Sequence, residues 1–262
     1  MYLTQSACTI LQTALPSAKA ALSGEIAAAW RNGAITKIGD SRPPMRPMRP
    51  AKPVLLPPQQ MQRRRGGAGG AALLHAIAHI EFNAIDLAWD MIARFADPAL
   101  PRAFYDDWVR VGDEEAKHFR MLSKRMEAFG LRYGDFPAHD GLWQAAQETA
   151  DDVLSRLAIA PLVLEARGLD VTPAIIDRLT QAGDSESVAI LSIILEEEVG
   201  HVSIGRRWFT HIATSRGQNP LTIFQTLVRK HYRGRLKPPF NKLSRDAAGF
   251  HADWYEPLVA QG

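Results

Sequence analysis

The sequence predicts an all-α protein in which long helices pack as a four-helix bundle. Three observations carry that expectation. From residue 71 to about 215, apolar side chains recur at intervals of three and four, the spacing of one helix face. Runs with strand-like alternation are absent. The longest periodic segments run about 25 residues, which at 1.5 Å per residue is ~37 Å, the length of a bundle helix.

The elements follow in chain order. Ile10–Trp30 has weak helical periodicity and predicts one short amphipathic helix. Arg42–Pro58 carries seven of the seventeen prolines. Proline locks φ and lacks the N–H, so this stretch is an extended, polyproline-like strap and not a helix. Arg63, Arg64 and Arg65 and a glycine cluster at 66–70 follow, and the main domain starts near Ala71. Segment A, Ala71 to about Phe95, is stopped by Asp-Pro-Ala-Leu-Pro. Segment B starts after Pro101 and ends near Phe129, with Gly130 as its cap. Segment C covers about Asp151 to Arg167 with a kink expected at Pro161, and a short separate helix D covers Pro173–Ala182. Segment E runs from an Asp184 N-cap to about Ala213. The predicted organisation is a helical segment (1–36), a basic proline- and glycine-rich strap (37–70), the bundle (71–215) and a basic, helical C-terminal extension (216–262).

Charge divides along the same lines. The net charge of +3 is made of +1 over 1–36, +7 over 37–65 and +5 over 216–262, leaving −10 for 66–215. An acidic centre thus carries basic flanks, and the mildly basic total describes neither. Cys8 is the single cysteine, so no intramolecular disulfide forms. No window holds ~18 consecutive apolar residues, and the first twenty residues lack a basic start and a long apolar run. A cytoplasmic chain without a membrane span is expected.

Polar residues sit on the predicted apolar faces, and they carry the chemistry. The inward line of segment B reads Trp108, Val111, Glu115, His118, Phe119, Leu122; that of segment E reads Leu191, Ile194, Glu198, His201, Val202, Gly205. Each contains Glu-x-x-His, which puts a carboxylate and an imidazole one turn apart on one face. Glu81 lies in register with Leu74, Ile77, Ile85 and Ala88 of segment A, and Glu165 with Ala158, Pro161, Leu162 and Leu169 of segment C. Glu81 and Glu115 are 34 residues apart, Glu165 and Glu198 33. That repeat implies two helix pairs related by a pseudo-twofold axis. Four glutamates and two histidines directed into one bundle form a carboxylate-bridged site for two metal ions. Four carboxylates in a low-dielectric core repel one another, and two divalent cations cancel the charge. Carboxylate with imidazole suits iron or manganese better than thiolate-seeking metals. Glu114 and Glu197, each one residue earlier, are candidates to accept the outer N–H of the ligating histidines across the pseudo-twofold, Glu197 from His118 and Glu114 from His201.

At these residues the sequence resembles the ferritin-like superfamily of dinuclear carboxylate proteins. It is most similar to a bacterial ferritin-like family catalogued as domain of unknown function 455. The resemblance runs through LLHAIAHIEFNAIDLAWD (73–90), DEEAKHF (113–119), PLVLEARGLD (161–170), AGDSESVAIL (182–191) and EEEVGHVSIGRRWF (196–209), and extends to the proline-rich lead-in and to PPFNKLSRDAAGF (238–250). It implies a ferritin-like fold with Glu81, Glu115, His118, Glu165, Glu198 and His201 as the six ligands of two iron ions, or of manganese. That family usually has Asp where this chain has Glu114 and Glu197.

The resemblance implies a site and leaves the reaction open, since the superfamily's ligands serve several oxidations. The expected function is an oxidoreductase using O₂ or peroxide, an electron donor and an unidentified small-molecule substrate. The alternatives are an iron-handling ferroxidase or iron-binding protein, and a tRNA-modifying hydroxylase. The last would use the basic tail, where Tyr232 and Phe240 are interleaved with lysine and arginine, as a nucleic-acid surface. Against it stands docking of the tail on the acidic centre. His75 and His79 fall off the Glu81 line and read as structural, or in the case of His79 as a neighbour supporting the metal ligands. No tyrosine lies on a segment close to the predicted metals except Tyr105, ten residues before Glu115, so a radical-generating tyrosine is not expected.

Overall fold

A computed structural model describes residues 1–57, 60, 61 and 69–259. The arginine triplet at 63–65 and the first glycines of the 66–70 cluster lie outside the described residues. Among the described residues the secondary structure is helical, with three isolated bridges and no strand, so the protein is all-α. The chain divides into two compact units, Met1–Gln144 and Ala145–Gly262.

The first unit contains α1 (Leu3–Leu11), α2 (Pro16–Arg31), α3 (Gly69–Arg94) and α4 (Arg102–Glu127), and α5 (Gly141–Glu148) begins at its end. Where one helix was expected over 10–30, there are two. Pro16 cannot donate to the carbonyl one turn earlier, so the chain breaks at 12–15 and restarts with Pro16 in the first turn of α2. The spacing of Leu3, Ala7, Ile10 and Leu11, all fully buried, is that of the missed helix α1. α3 packs on α4, with α1 against α3 and α2 against α4. The close approach needs Gly112, where a Cβ would lie 2.7 Å from the indole nitrogen of Trp89. That indole donates to Ser23 Oγ at 2.7 Å, and Ser23 donates to the Gly112 carbonyl at 2.7 Å, tying three helices together.

α3 is long and apolar enough by composition to cross a membrane, yet 67% of its most apolar stretch is buried within the protein. It also holds two fully buried aspartates, Asp86 paired with Lys19 and Asp90 with Arg94. Its apolar character is that of a core helix.

Residues 38–57 contain no helix, as the prolines require. Their carbonyls and few N–H groups bond to the rest of the unit: Met48 N–H to the Leu11 carbonyl (2.8 Å), Arg94 to the Pro44 carbonyl (3.0 Å), and Leu56 N–H and the Val54 carbonyl to Ala138 in the loop before α5 (2.8 and 3.0 Å). Arg46 pairs with Asp140.

The second unit contains α6 (Val153–Ile159), a π-helical turn (Ala160–Glu165), α7 (Ala166–Gln181), α8 (Ser185–Ser215), α9 (Pro220–His231), α10 (Lys242–Ala247) and α11 (Ala252–Tyr255). The kink expected at Pro161 takes the form of the π turn. No separate helix begins at Pro173; α7 runs through it. Pro173 leaves the Leu169 carbonyl without its usual donor, and the amide of Asn241 replaces it at 3.1 Å.

α8 starts at the predicted cap, with Asp184 accepting from Ser187 N–H at 3.0 Å. It packs on α7 and the π turn. Gly205 makes room for Pro161, whose ring would lie 2.5 Å from a Cβ there. The C-terminal extension is anchored by Arg245, 1% exposed, which donates to both oxygens of Asp170 (2.9 and 2.8 Å) and to the Ala166 carbonyl (3.2 Å). Its guanidinium lies 4.3 Å from the centre of the Tyr255 ring and 5.0 Å from that of Phe240.

Candidate metal centre

In the first unit, the apolar stripe of α4 is interrupted by two polar residues. Trp108, Val111, Phe119 and Leu122 are buried, and Glu115 and His118 between them are fully buried. The facing stripe of α3 supplies Glu81, 4% exposed. One ligand atom from each of Glu81, Glu115 and His118 lies within 4.8 Å of the others'. His118 Nδ1 is 3.0 Å from Glu81 Oε2 and 3.5 Å from Glu115 Oε2.

These spacings bear directly on metal binding. Ligand atoms held about 2.1 Å from one cation are about 3.0 Å apart at octahedral and about 3.4 Å at tetrahedral angles. His118 Nδ1 is therefore spaced from each carboxylate as a neighbouring ligand of one ion would be, and the oxygen and imidazole donors suit a divalent transition metal. This buried Glu/His cluster can hold a metal ion. Burial alone would push the His118 imidazole down, but its hydrogen bonds to Glu115 and Glu81 and their charges hold it well above the ordinary value.

In the second unit α8 repeats the pattern. His201 is fully buried, Glu198 is 8% exposed, and His201 Nδ1 lies 3.5 Å from Glu198 Oε1. Glu198 Oε2 is buried with no hydrogen-bond partner among the described residues. Glu165 is the last residue of the π turn and is half-buried. Ala158, Pro161, Leu162 and Leu169, with which it was expected to share a face, are all buried. The extra residue of the π turn rotates the chain beyond it by about 100° relative to a regular helix. Glu114 on α4 and Glu197 on α8 are half-buried.

Around the α3–α4 cluster lies a layer that local sequence patterns do not reveal. Tyr133, in the loop after α4, packs on Phe82 and Phe119 with ring centres 5.3 and 5.2 Å away. His79 Nε2–H donates to the His139 carbonyl at 3.0 Å, so its Nδ1 accepts from the Tyr133 hydroxyl at 2.8 Å. Burial lowers the His79 pKa to about 4, against the opposing pull of the His139 carbonyl, and Arg49 adds to the lowering. His75 Nε2 accepts from the Gly134 N–H at 2.9 Å and stacks on Tyr133. Both histidines thus hold the Tyr133 loop. One turn along α3, Asn83 donates to the His79 carbonyl at 2.7 Å and accepts from Arg49 at 2.7 Å. Arg49 and Lys19 share Asp86 at 3.1 and 2.5 Å.

Fold and site together define an all-helical protein with a buried Glu/His cluster competent for a metal ion. The chain belongs to the family described as Protein of unknown function (DUF455), whose profile matches residues 12–256. It is similar to an uncharacterized protein of Haemophilus influenzae, 44% identical over 191 residues that cover 70% of this chain and 66% of that protein. The chain therefore spans just under two-thirds of that curated relative's length. No solved structure matches it.

Proposed function

We propose that the protein is a non-haem dinuclear metal protein of the ferritin-like class. Iron is the intended metal, manganese the other ion its ligands suit, and O₂ or peroxide the oxidant. In this reading α3 with α4 and α6–α7 with α8 form one four-helix bundle within residues 71–215. Residues 37–70 serve as its strap, 1–36 and 216–262 as its flanking segments, and the protein works in the cytoplasm. Glu81, Glu115, Glu165 and Glu198 act as terminal or bridging carboxylates, and His118 and His201 as terminal imidazoles.

The observation that carries the reading is the buried trio Glu81, Glu115 and His118, spaced as ligands of one ion. The second Glu-x-x-His supports it, because Glu198 and His201 are buried in the same relation on α8 and Glu198 Oε2 has no hydrogen-bond partner among the described residues. Bound metal ions would supply Lewis acidity and redox capacity toward O₂ or peroxide. The chain's own part is to hold six donors in a dry cavity. Val111 and Phe119 flank the donors of α4, and Leu191, Ile194 and Val202 those of α8, and all five are buried. Glu114 and Glu197 orient the two imidazoles by accepting their outer N–H groups. His79 keeps the layer beside Glu81 in place. An electron donor and a small-molecule substrate complete the cycle.

Elemental analysis of the purified chain should find close to two transition-metal ions per molecule. A Glu115→Ala, Glu198→Ala double variant should lose them while remaining helical by circular dichroism. Retention of the full metal load by that variant would overturn the assignment. Titration with Fe²⁺ in air separates the oxidoreductase from an iron store: uptake of many irons per chain would favour storage.

A further inference from the structure

We propose that a cavity in the first unit, walled by the proline-rich segment and by the Tyr133 loop, binds a small organic monoanion with an apolar body. A medium-chain carboxylate represents the class. The cavity has a volume of about 330 Å³ and is lined by residues 49–51 and 53–55 on one side and by His79 and Tyr133 on the other. That volume is at the lower end of the ~300–1,000 Å³ range of ligand pockets, so the ligand is small.

Charge selects the anion. Lys19 and Arg49 both pair with Asp86, so two cations share one carboxylate and a positive charge is left over beside the cavity. Both ring nitrogens of His79 are engaged, and no acidic side chain lines the wall. Arg49 gives one hydrogen bond to Asn83 through Nη2 and pairs with Asp86 through Nη1 at 3.1 Å, and its side chain borders the cavity, so its charge is presented to a carboxylate bound there.

Apolar surface selects the rest of the ligand. Val54 and Leu55 are 56% and 38% exposed and border the cavity together with Pro50, Ala51 and Pro53. An inorganic anion would leave that wall wet. An apolar chain would cover it while its carboxylate reached Arg49. A cation of the same shape would meet the surplus positive charge. This site requires no metal, so its test is separate from that of the metal centre.

The test is calorimetric titration of the full chain at low salt with four probes: hexanoate, hexanol, hexylammonium and inorganic phosphate. Hexanoate should saturate one site per chain and bind at least about tenfold more tightly than each of the other three. Arg49→Gln should weaken hexanoate by about tenfold. Arg49 also supports Asn83 and Asp86, so a second pair of variants places the charge on the exposed rim instead. Val54→Asp should weaken hexanoate and Val54→Lys should tighten it, both with an unchanged thermal midpoint. Hexanoate binding no better than hexanol or phosphate would overturn the proposal. So would Val54→Asp and Val54→Lys shifting the affinity in the same direction.

Discussion

Replacing His79 with glutamine should flatten the acid side of the stability profile. His79 is held at a pKa of about 4 by burial, against an ordinary value of 6.5. Below pH 6.5 the unfolded chain takes up a proton that the folded chain refuses, so stability falls as pH drops. The loss levels off near pH 4, where the folded form also protonates. At about 1.4 kcal/mol per unit, the full loss is roughly 3 kcal/mol, of which about 2 kcal/mol falls between pH 8 and pH 5. Glutamine does not titrate. Its loss of the Tyr133 hydrogen bond lowers stability at every pH, so the informative quantity is the slope and not the level. Urea unfolding of both proteins at pH 8, 7, 6 and 5, with chelator present, should show a decline shallower by about 2 kcal/mol in His79→Gln. Parallel profiles would refute the argument that His79 is folded in its neutral form.

Arg245 and Asp170 form a buried pair, 1% and 0% exposed at their side chains, so Arg245→Met should cost about 3 kcal/mol in urea unfolding, leaving the buried carboxylate with only the Asn241 N–H and Arg167 at 3.5 Å. Adding Asp170→Leu should recover more than half of that loss. Asn241→Asp keeps a side-chain oxygen to cap α10 but removes the donor to the Leu169 carbonyl, and should cost about 1–3 kcal/mol. In a Pro173→Ala background, which restores a backbone N–H to α7, that cost should shrink to a few tenths of a kcal/mol. An unchanged cost would mean the Asn241 amide does not stand in for the missing helix donor.

Features set by neighbours within one or two helical turns were legible in the sequence. The periodicity of 71–95 and 101–129 located α3 and α4, and the in-phase position of Glu81 and Glu115 predicted their burial, because a helix fixes which side chains share a face. Asp184 was readable as a cap for the same reason. Pro173 was misleading: its local signal says that a helix starts, and the signal was overridden by Asn241, 68 residues later in the chain. The break between α1 and α2 was missed although Pro16 announced it, because a weak periodicity on both sides was read as one helix.

The layer around the cluster was not legible. Tyr133 lies in a loop, where no period says which way a side chain turns, and it reaches His79 across 54 residues of sequence. Lys19, Arg49 and Asp86 belong to three segments of unrelated pattern, and only their meeting leaves one positive charge beside a cavity. By itself the sequence determined the helical class, the stripe on which Glu81, Glu115, His118, Glu198 and His201 sit, and the absence of helix from the proline-rich segment over 38–57. These depend on backbone geometry repeated every few residues. Tertiary structure alone decided that His118 lies 3.0 Å from a carboxylate on another helix, that His79 is neutral, and that Arg49 faces a cavity. Distances across helices, desolvation and shared counter-charges arise only when segments remote in sequence are packed together.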